Sequence, residues 1–372
     1  MKRTLCLFLA LILAVGICFS APVTITASAA EALSVFAADT TYPYAVVATV
    51  TDGITTLSAS DATTLNQAVT AILETGSRTF TVELPADAEA EMITAIRRAI
   101  CDTEGVEDGS IYLTLKGVIT IPDNNNDGVA FGPRDAQLDE NNVEIVVSKE
   151  EVTQLASINL PDVTEIGAQA FYFCRNLVSV SAPKAQTIGA HAFGFTALTS
   201  VEFPELTTIP YGMFSGTQTL SSAKFPKVTT IERGGLLIGG IFKPENNPTP
   251  FPLELTAEGD ITFNGSNHFN GASQNYSGKV DLVLCCDKKA AVISHDDGTA
   301  TWQVSEDLSY TFKSITFKHS YVDGKCNVCG EDCAHTGGTA TCTTLAVCES
   351  CGVSYGEFGD HTYKNGKCTV AN

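Results

Sequence analysis

Seven of the chain's 13 cysteines and three of its six histidines fall in residues 319–372, at spacings suited to holding a metal ion. Cys326-x2-Cys329 and Cys348-x2-Cys351 stand 18 residues apart, within the zinc-ribbon range. A two-residue spacer lets both thiolates of a tight turn face one tetrahedral ion, while histidine supplies a neutral nitrogen. The string from His319 to Val328 recurs from His361 to Val370, a period of 42 residues. Two partitions fit: one ribbon of four cysteines, or two mixed sites. The mixed partition, which uses the histidines that the repeat keeps, puts His319, Cys326, Cys329 and His335 in one site and Cys342, Cys348, Cys351 and His361 in the next. In the last copy Ala371 stands where a second cysteine would fall, so Cys368 lacks its companion and the copy reads as cut short. A disulfide framework is the competing reading, because an exported chain permits one. Without Cys6 and Cys18 of the leader described below, however, 11 cysteines remain, an odd number that cannot all pair within one chain. A tail this short and polar needs a staple of one kind or the other.

Two other constellations are weaker. Asp123-Asn124-Asn125-Asn126-Asp127-Gly128 supplies the first half of a calcium loop, but Arg134 occupies the position of the bidentate acid. The segment reads as a polar turn, and calcium is not expected. Cys285 or Cys286 with His295 and Asp296 would assemble a nucleophile, a base and an orienting group on paper. No activated-nucleophile motif surrounds them, and Val283 and Cys285 fall on one face of an alternating strand, so these read as core thiols and no catalysis is expected.

The elements that must position these groups repeat. Leu155, Leu177, Leu198 and Leu220 are 22, 21 and 22 residues apart. Ile158, Val180, Val201 and Ala223 keep that register, as do Pro161, Pro183, Pro204 and Pro226, then Ile166, Ile188, Ile209 and Ile231. Phe171, Phe193, Phe214 and Leu236 form a further column. Such columns mean that each turn of chain cannot bury its own apolar face and must stack on the next. Within a turn, L-x-S-[IVA] alternates as a short strand, proline ends it, and the V-T-x-I stretch is a second short strand. Leu115 to Ile121 repeats the layout of Leu160 to Ile166, with Phe131 displaced by the insertion around Asn124. Upstream, Leu65, Ala68, Val69 and Ile72 share a helix face behind Asp61 as N-cap. Phe80, Val82 and Leu84 alternate as a strand, and Met92, Ile96 and Ala99 mark a second helix. The fold class is therefore an α/β repeat: a solenoid of stacked short β-strands with an N-terminal α/β cap and a small Cys/His-rich tail. The division is 1–30 signal peptide, 31–45 linker, 46–110 cap, 111–317 solenoid with its closing turns, and 318–372 tail.

The pattern L-x-S-[IV]-x-x-P-x-[VL]-T-x-I-[GP]-x-x-[AM]-F, as in Leu155 to Phe171 and Leu198 to Phe214, resembles the BspA-like class of leucine-rich repeats found in bacterial surface proteins. Val280 to Cys286, Trp302 and Thr311 to Ile315 are similar to the closing segment of such chains from gut Firmicutes. The C-x2-C-G and H-T-G-G-T-A-T-C strings resemble zinc-ribbon-like repeats that follow these solenoids. The resemblance implies an extracellular solenoid used in adhesion or ligand capture, with no catalysis and with zinc in the tail. Cys174 sits at a cysteine position common in these repeats, whereas Thr196 and Thr217 replace it in the next turns. Glu232-Arg233-Gly234-Gly235 replaces G-x-x-A, which predicts a distorted fourth turn.

Charge and export agree with that class. Lys2 and Arg3 precede an apolar run from Leu5 to Phe19, and Ala27-Ser28-Ala29 offers a cleavage site, the layout of a secretory signal peptide. The run is too short for a membrane helix, so no membrane span is expected. With 22 Lys+Arg against 42 Asp+Glu the formal charge is −20, which disfavours nucleic acid and anionic membranes as partners. The expected role is adhesion to, or capture of, a host or neighbouring-cell surface protein or glycan. A structural spacer of the envelope and a polysaccharide-binding accessory protein are the alternatives. Tyr172, Phe173, Phe195 and Tyr211, beside the core columns, and His268, in the loop from Asn264 to Tyr276, are the candidate ligand contacts. Packing against the core is the competing reading for each.

Overall fold

The computed structural model describes residues 47–51, 54–58, 61–88, 90–124, 130–132, 137–138, 144–146, 152–236, 251–265, 268, 275–341, 344–357, 359, 363–364 and 367–368. The proposed signal peptide and linker, Arg134, Cys342 and His361 lie outside the described residues, as do Asn125 to Gly128 of the calcium-like string.

The repeat columns form a solenoid with two strand-bearing sides. On one side Ile111–Lys116, Leu155–Asn159 and Ser179–Ser181 pair in parallel, and Ser200–Glu202, Ser222–Lys224, Phe251–Leu255, Asn275–Cys285 and Leu308–Lys318 form a second parallel run. On the other side two-residue strands stack as Thr120–Ile121, Glu165–Ile166 and Thr187–Ile188, then Thr208–Ile209, Thr230–Ile231 and Thr262–Phe263. Both ladders break between the second and third repeat, where the leucine spacing shortens from 22 to 21. Backbone bonds outside the ladders span the break, among them Ala197 N–H to Leu177 O at 3.1 Å and Phe193 N–H to Met213 O at 3.0 Å.

Between the two sides runs a core built from the columns. All four leucines, the isoleucines and Phe171, Phe193, Phe214 and Leu236 are buried. Phe131, displaced in sequence, rejoins its column: its ring stacks on Phe171 at 5.4 Å, and Phe171 stacks on Phe193 at 5.4 Å. Cys174, Thr196 and Thr217 form a buried polar column that is satisfied by backbone. Cys174 Sγ donates to Phe131 O, and the two threonine hydroxyls both donate to Phe193 O. Threonine thus replaces cysteine at no polar cost.

The N-terminal segment joins the same sheet. Ile54–Ser58 and Thr79–Glu83 pair in parallel with each other, and Thr79–Glu83 pairs in parallel with Ile111–Lys116, so the first turns of the spiral carry helices where later turns carry two-residue strands. The first helix, Ala62–Glu74, starts where Asp61 Oδ1 accepts the Thr64 N–H at 2.9 Å. The second, Ala90–Asp102, buries Met92, Ile96 and Ala99. An antiparallel strand ends the sheet on each side, Val47–Thr51 at one edge and Ala300–Ser305 with Val292–Ser294 at the other. These blunt the edges that a stack of parallel strands would leave open.

The expected distortion of the fourth turn is absent. Thr230–Ile231 keeps its parallel pairing, and Gly234, at φ 63°, takes the left-handed position that Gln169, His191 and Gly212 hold in the earlier turns. Glycine is the residue that adopts this backbone most cheaply, so the departure in sequence preserves the geometry.

Candidate metal centres

The tail is built from small hairpins. Tyr321–Val322 pairs with Lys325–Cys326 across Asp323 and Gly324, both at positive φ, as a tight two-residue hairpin turn requires. Tyr363–Lys364 and Lys367–Cys368 repeat the pairing, Tyr363 opposite Cys368 as Tyr321 is opposite Cys326. A second hairpin, Ala346–Val347 with Ser354–Tyr355, encloses Cys348 to Cys351. In each C-x2-C-G string the glycine N–H donates to the first cysteine's carbonyl at 2.9 Å, Gly330 to Cys326 and Gly352 to Cys348. Both glycines are left-handed, at φ 73° and 70°. The turn closes so that both sulfurs face the same way.

Two groups of four donors result. Cys286, His319, Cys326 and Cys329 have all ligand atoms within 4.8 Å of one another, as do Cys333, His335, Cys348 and Cys351. In the first, Cys286 Sγ is 3.5 Å from Cys326 Sγ, and Cys329 Sγ is 3.3 Å from His319 Nδ1. In the second, Cys333 Sγ is 3.6 Å from Cys348 Sγ, and Cys351 Sγ is 3.3 Å from His335 Nδ1. Metal–ligand bonds of a tetrahedral zinc site place neighbouring donors roughly 3.5 to 3.8 Å apart. The two sulfur–sulfur edges fall in that range and the two sulfur–nitrogen edges lie slightly inside it, so each group is close to the size of a one-ion site. Three thiols and an imidazole are a soft donor set that disfavours calcium and magnesium. Each histidine ring is held by a stacked tyrosine, His319 by Tyr321 at 5.5 Å and His335 by Tyr355 at 5.3 Å.

The local electrostatics differ by position. Desolvation opposes the Cys326 thiolate, but the N–H groups of Cys329, Val328 and Ser320 and the His319 ring outweigh it and bring the pKa down to about 6. Desolvation likewise opposes Cys348, and the His335 ring with the N–H groups of Thr336, Cys351 and Ser350 lowers it to about 5. Cys333 is pushed up to about 11 by desolvation and by its neighbours Cys348 and Cys351. Burial, with Cys326 and Cys329 close by, raises Cys286 strongly. The first cysteine of each C-x2-C string is therefore ready as a thiolate at neutral pH, as metal binding requires.

These groups correct the mixed partition drawn from spacing. His319, Cys326 and Cys329 do come together, but His335 joins Cys348 and Cys351 instead, because the chain turns away after Cys329 and Cys333 N–H bonds back to Gly324 O at 2.7 Å. The fourth donors of the two groups are Cys286 and Cys333, which spacing did not select. Cys333-x-His335 was a readable signal, since two donors one residue apart sit side by side. Cys286 had none, being brought in by the solenoid from 33 residues before His319.

The aromatic candidates are placed differently from the expectation of surface contacts. Tyr172, Phe173 and His268 are buried at 1%, 0% and 3% exposure, and Phe195 and Tyr211 are half-buried. Left-handed backbone at Phe173 and Phe195 folds their rings together at 4.5 Å, with Tyr172 edge-on to both. His268 Nδ1 shares a 2.8 Å hydrogen bond with Tyr310 Oη inside the closing turns. The paper nucleophile fares similarly. Desolvation raises the Cys285 thiol, Cys286 faces His319, and His295 is hydrogen-bonded to Thr301.

Residues 150–235 match the family model described as BspA type Leucine rich repeat region, in six copies. No curated protein and no solved structure matches the chain. No helix among the described residues is long and apolar enough to cross a membrane. The repeating core of this chain is thus similar to BspA-type leucine-rich repeats, a class whose members are generally protein-interaction modules.

Proposed function

We propose that the chain is an exported, cell-surface binding protein without catalytic activity, whose solenoid captures a host or neighbouring-cell protein or glycan and whose tail is stapled by zinc. The observation that carries this reading is the outward face of the long sheet. Tyr112, Ser157 and Ser179 lie in adjoining register there, followed by Ser200 and Ser222 across the ladder break. Beside them run Thr114, Asn159 and Ser181, then Glu202 and Lys224. Tyr112 is 52% exposed at the head of the serine column. Short hydroxyls and an amide offer both donors and acceptors at little conformational cost, and an exposed tyrosine adds a flat apolar platform. Such a face suits the hydroxyls of a neutral glycan or the backbone of an extended polypeptide. The net charge of −20 argues against phosphate-rich partners. The signal-like leader supports export.

The test is binding of the mature chain to an array of matrix proteins, mucins and glycans. Saturable binding that falls at least tenfold in the Ser179→Arg/Ser200→Arg protein, with unchanged melting, is expected. The Thr187→Arg/Thr229→Arg protein, altered on the short-strand side, should bind as wild type. No saturable binding, or equal loss from both variants, would refute the assignment to this face.

A further inference from the structure

The two donor groups differ in where their ligands come from. Cys333, His335, Cys348 and Cys351 all belong to the tail. Cys286 belongs to the solenoid: it directly follows the strand Asn275–Cys285, opens the 3₁₀ turn Cys286–Ala291, and is 3% exposed. His319 directly follows the last solenoid strand, Leu308–Lys318. Cys326 and Cys329 come from the first tail hairpin. We propose that the first group is a metal clamp between solenoid and tail, in which one ion closes Cys286 of the final turn onto the Cys326/Cys329 knuckle. This rests on the zinc reading above and adds to it a division of labour: the second ion folds the tail, and the first fixes its direction.

Independent contacts converge on that junction. Cys285, Cys286 and Cys326 form a small buried cluster of their own, against which Phe317, Tyr321 and Val328 pack. Lys289 Nζ, on the same 3₁₀ turn, reaches Glu331 beyond the knuckle at 3.5 Å. So small an apolar cluster and a half-exposed ion pair supply little holding energy. A tetrahedral ion sharing ligands across the boundary supplies far more, because releasing the tail would break metal–ligand bonds. The clamp also sets the next unit. Cys333 N–H donates to Gly324 O at 2.7 Å and Lys325 bridges Asp332, so the second donor group starts from the hairpin that the first ion holds. The tail thereby continues the solenoid as a fixed extension and is not hung from a linker.

The experiment uses the whole mature chain, purified without chelator, with metal counted by mass spectrometry and the junction probed by trypsin at Lys318 and Lys325. Relative to wild type, Cys286→Ser and Cys348→Ser are each expected to lose one zinc. Junction cleavage should rise at least tenfold in Cys286→Ser and stay at the wild-type rate in Cys348→Ser. Cys329→Ser changes an exposed residue outside the solenoid, so it carries the test if Cys286→Ser misfolds, and it should also lose one ion and open the junction. Cys286→His keeps a donor and should recover protection. Full zinc content in Cys286→Ser, or loss of its ion with the junction still protected, would overturn the clamp while leaving zinc in the tail standing. A wild-type chain that holds no zinc would overturn the zinc reading itself.

Discussion

Phe193 sits where both strand ladders are interrupted, so replacing it with alanine tests what couples the two halves of the solenoid. Its ring is fully buried and stacks on Phe171 at 5.4 Å, Phe203 at 5.6 Å and Phe214 at 6.1 Å. Truncating a buried phenylalanine costs roughly 3 to 5 kcal/mol, the larger values arising where the surroundings cannot collapse into the space. Collapse is hindered here, because Phe193 N–H bonds to Met213 O at 3.0 Å and Phe171 N–H to Ala192 O at 2.8 Å, holding the adjacent turns at their stacking distance. The expected loss is therefore about 4 to 5 kcal/mol. Val180, partly buried in the same turn, should cost only about 1 kcal/mol on truncation to alanine. Urea unfolding followed by far-UV circular dichroism gives the loss. Trp302, the chain's single tryptophan, is buried in the closing segment and reports the C-terminal half by fluorescence. In a stack stabilised by nearest-neighbour interfaces, weakening the interface at the break should pull the two probes apart, whereas wild type unfolds with them coincident. A loss below about 1 kcal/mol, no larger than that of Val180→Ala, or coincident probes in the variant, would refute the coupling argument.

Three further outcomes are expected. Gly117 is left-handed at φ 80°, and a Cβ there would collide with Leu84 O, so Gly117→Ala should lower stability by about 2 to 3 kcal/mol, read as a fall in melting temperature. The Lys184 ammonium, with help from the Gly117 N–H, holds the Asp162 carboxyl below its ordinary value. Its stabilisation is present above the unfolded pKa near 3.9 and is lost as pH falls through the folded value, so the gap in urea midpoint between wild type and Asp162→Asn should persist at pH 7 and close below about pH 4. His191 is buried and its pKa is lowered by desolvation, so the folded state favours the neutral ring. Stability should be full above about pH 6.5 and decline as pH falls below it, and His191→Asn, which tolerates the left-handed φ of 56°, should flatten part of that decline in thermal melts between pH 7 and 5.

The repeat was legible because stacking copies one chemical environment from turn to turn, so Leu155, Leu177, Leu198 and Leu220 announce it by spacing alone. The first turns were not legible as part of the same spiral. Between Phe80 and Leu113, partners in adjacent strands, the chain inserts a helix, and the period of 22 disappears although the sheet continues. Spacing left Phe173 and Phe195 between contact and packing, because alternation assigns side chains only in extended backbone, and both residues are left-handed. Gly216 follows at the same 21- to 22-residue interval with φ 71°, and it was the available sign of that turn. In the tail, spacing identified the C-x2-C strings because their ligands are local. It missed Cys286, whose neighbourhood with His319 exists only once two long parallel strands lie side by side.

The proposal that the tail's thiols and imidazoles bind zinc at two sites, each with three sulfurs and one nitrogen, is tested most directly by zinc-edge X-ray absorption. The sample is the chain from residue 31 onward, purified anaerobically without added metal. The expected result is at least two zinc ions per chain, with an average shell of three sulfurs near about 2.3 Å and one nitrogen near about 2.0 Å. A chain without zinc whose tail cysteines titrate as disulfides would contradict it.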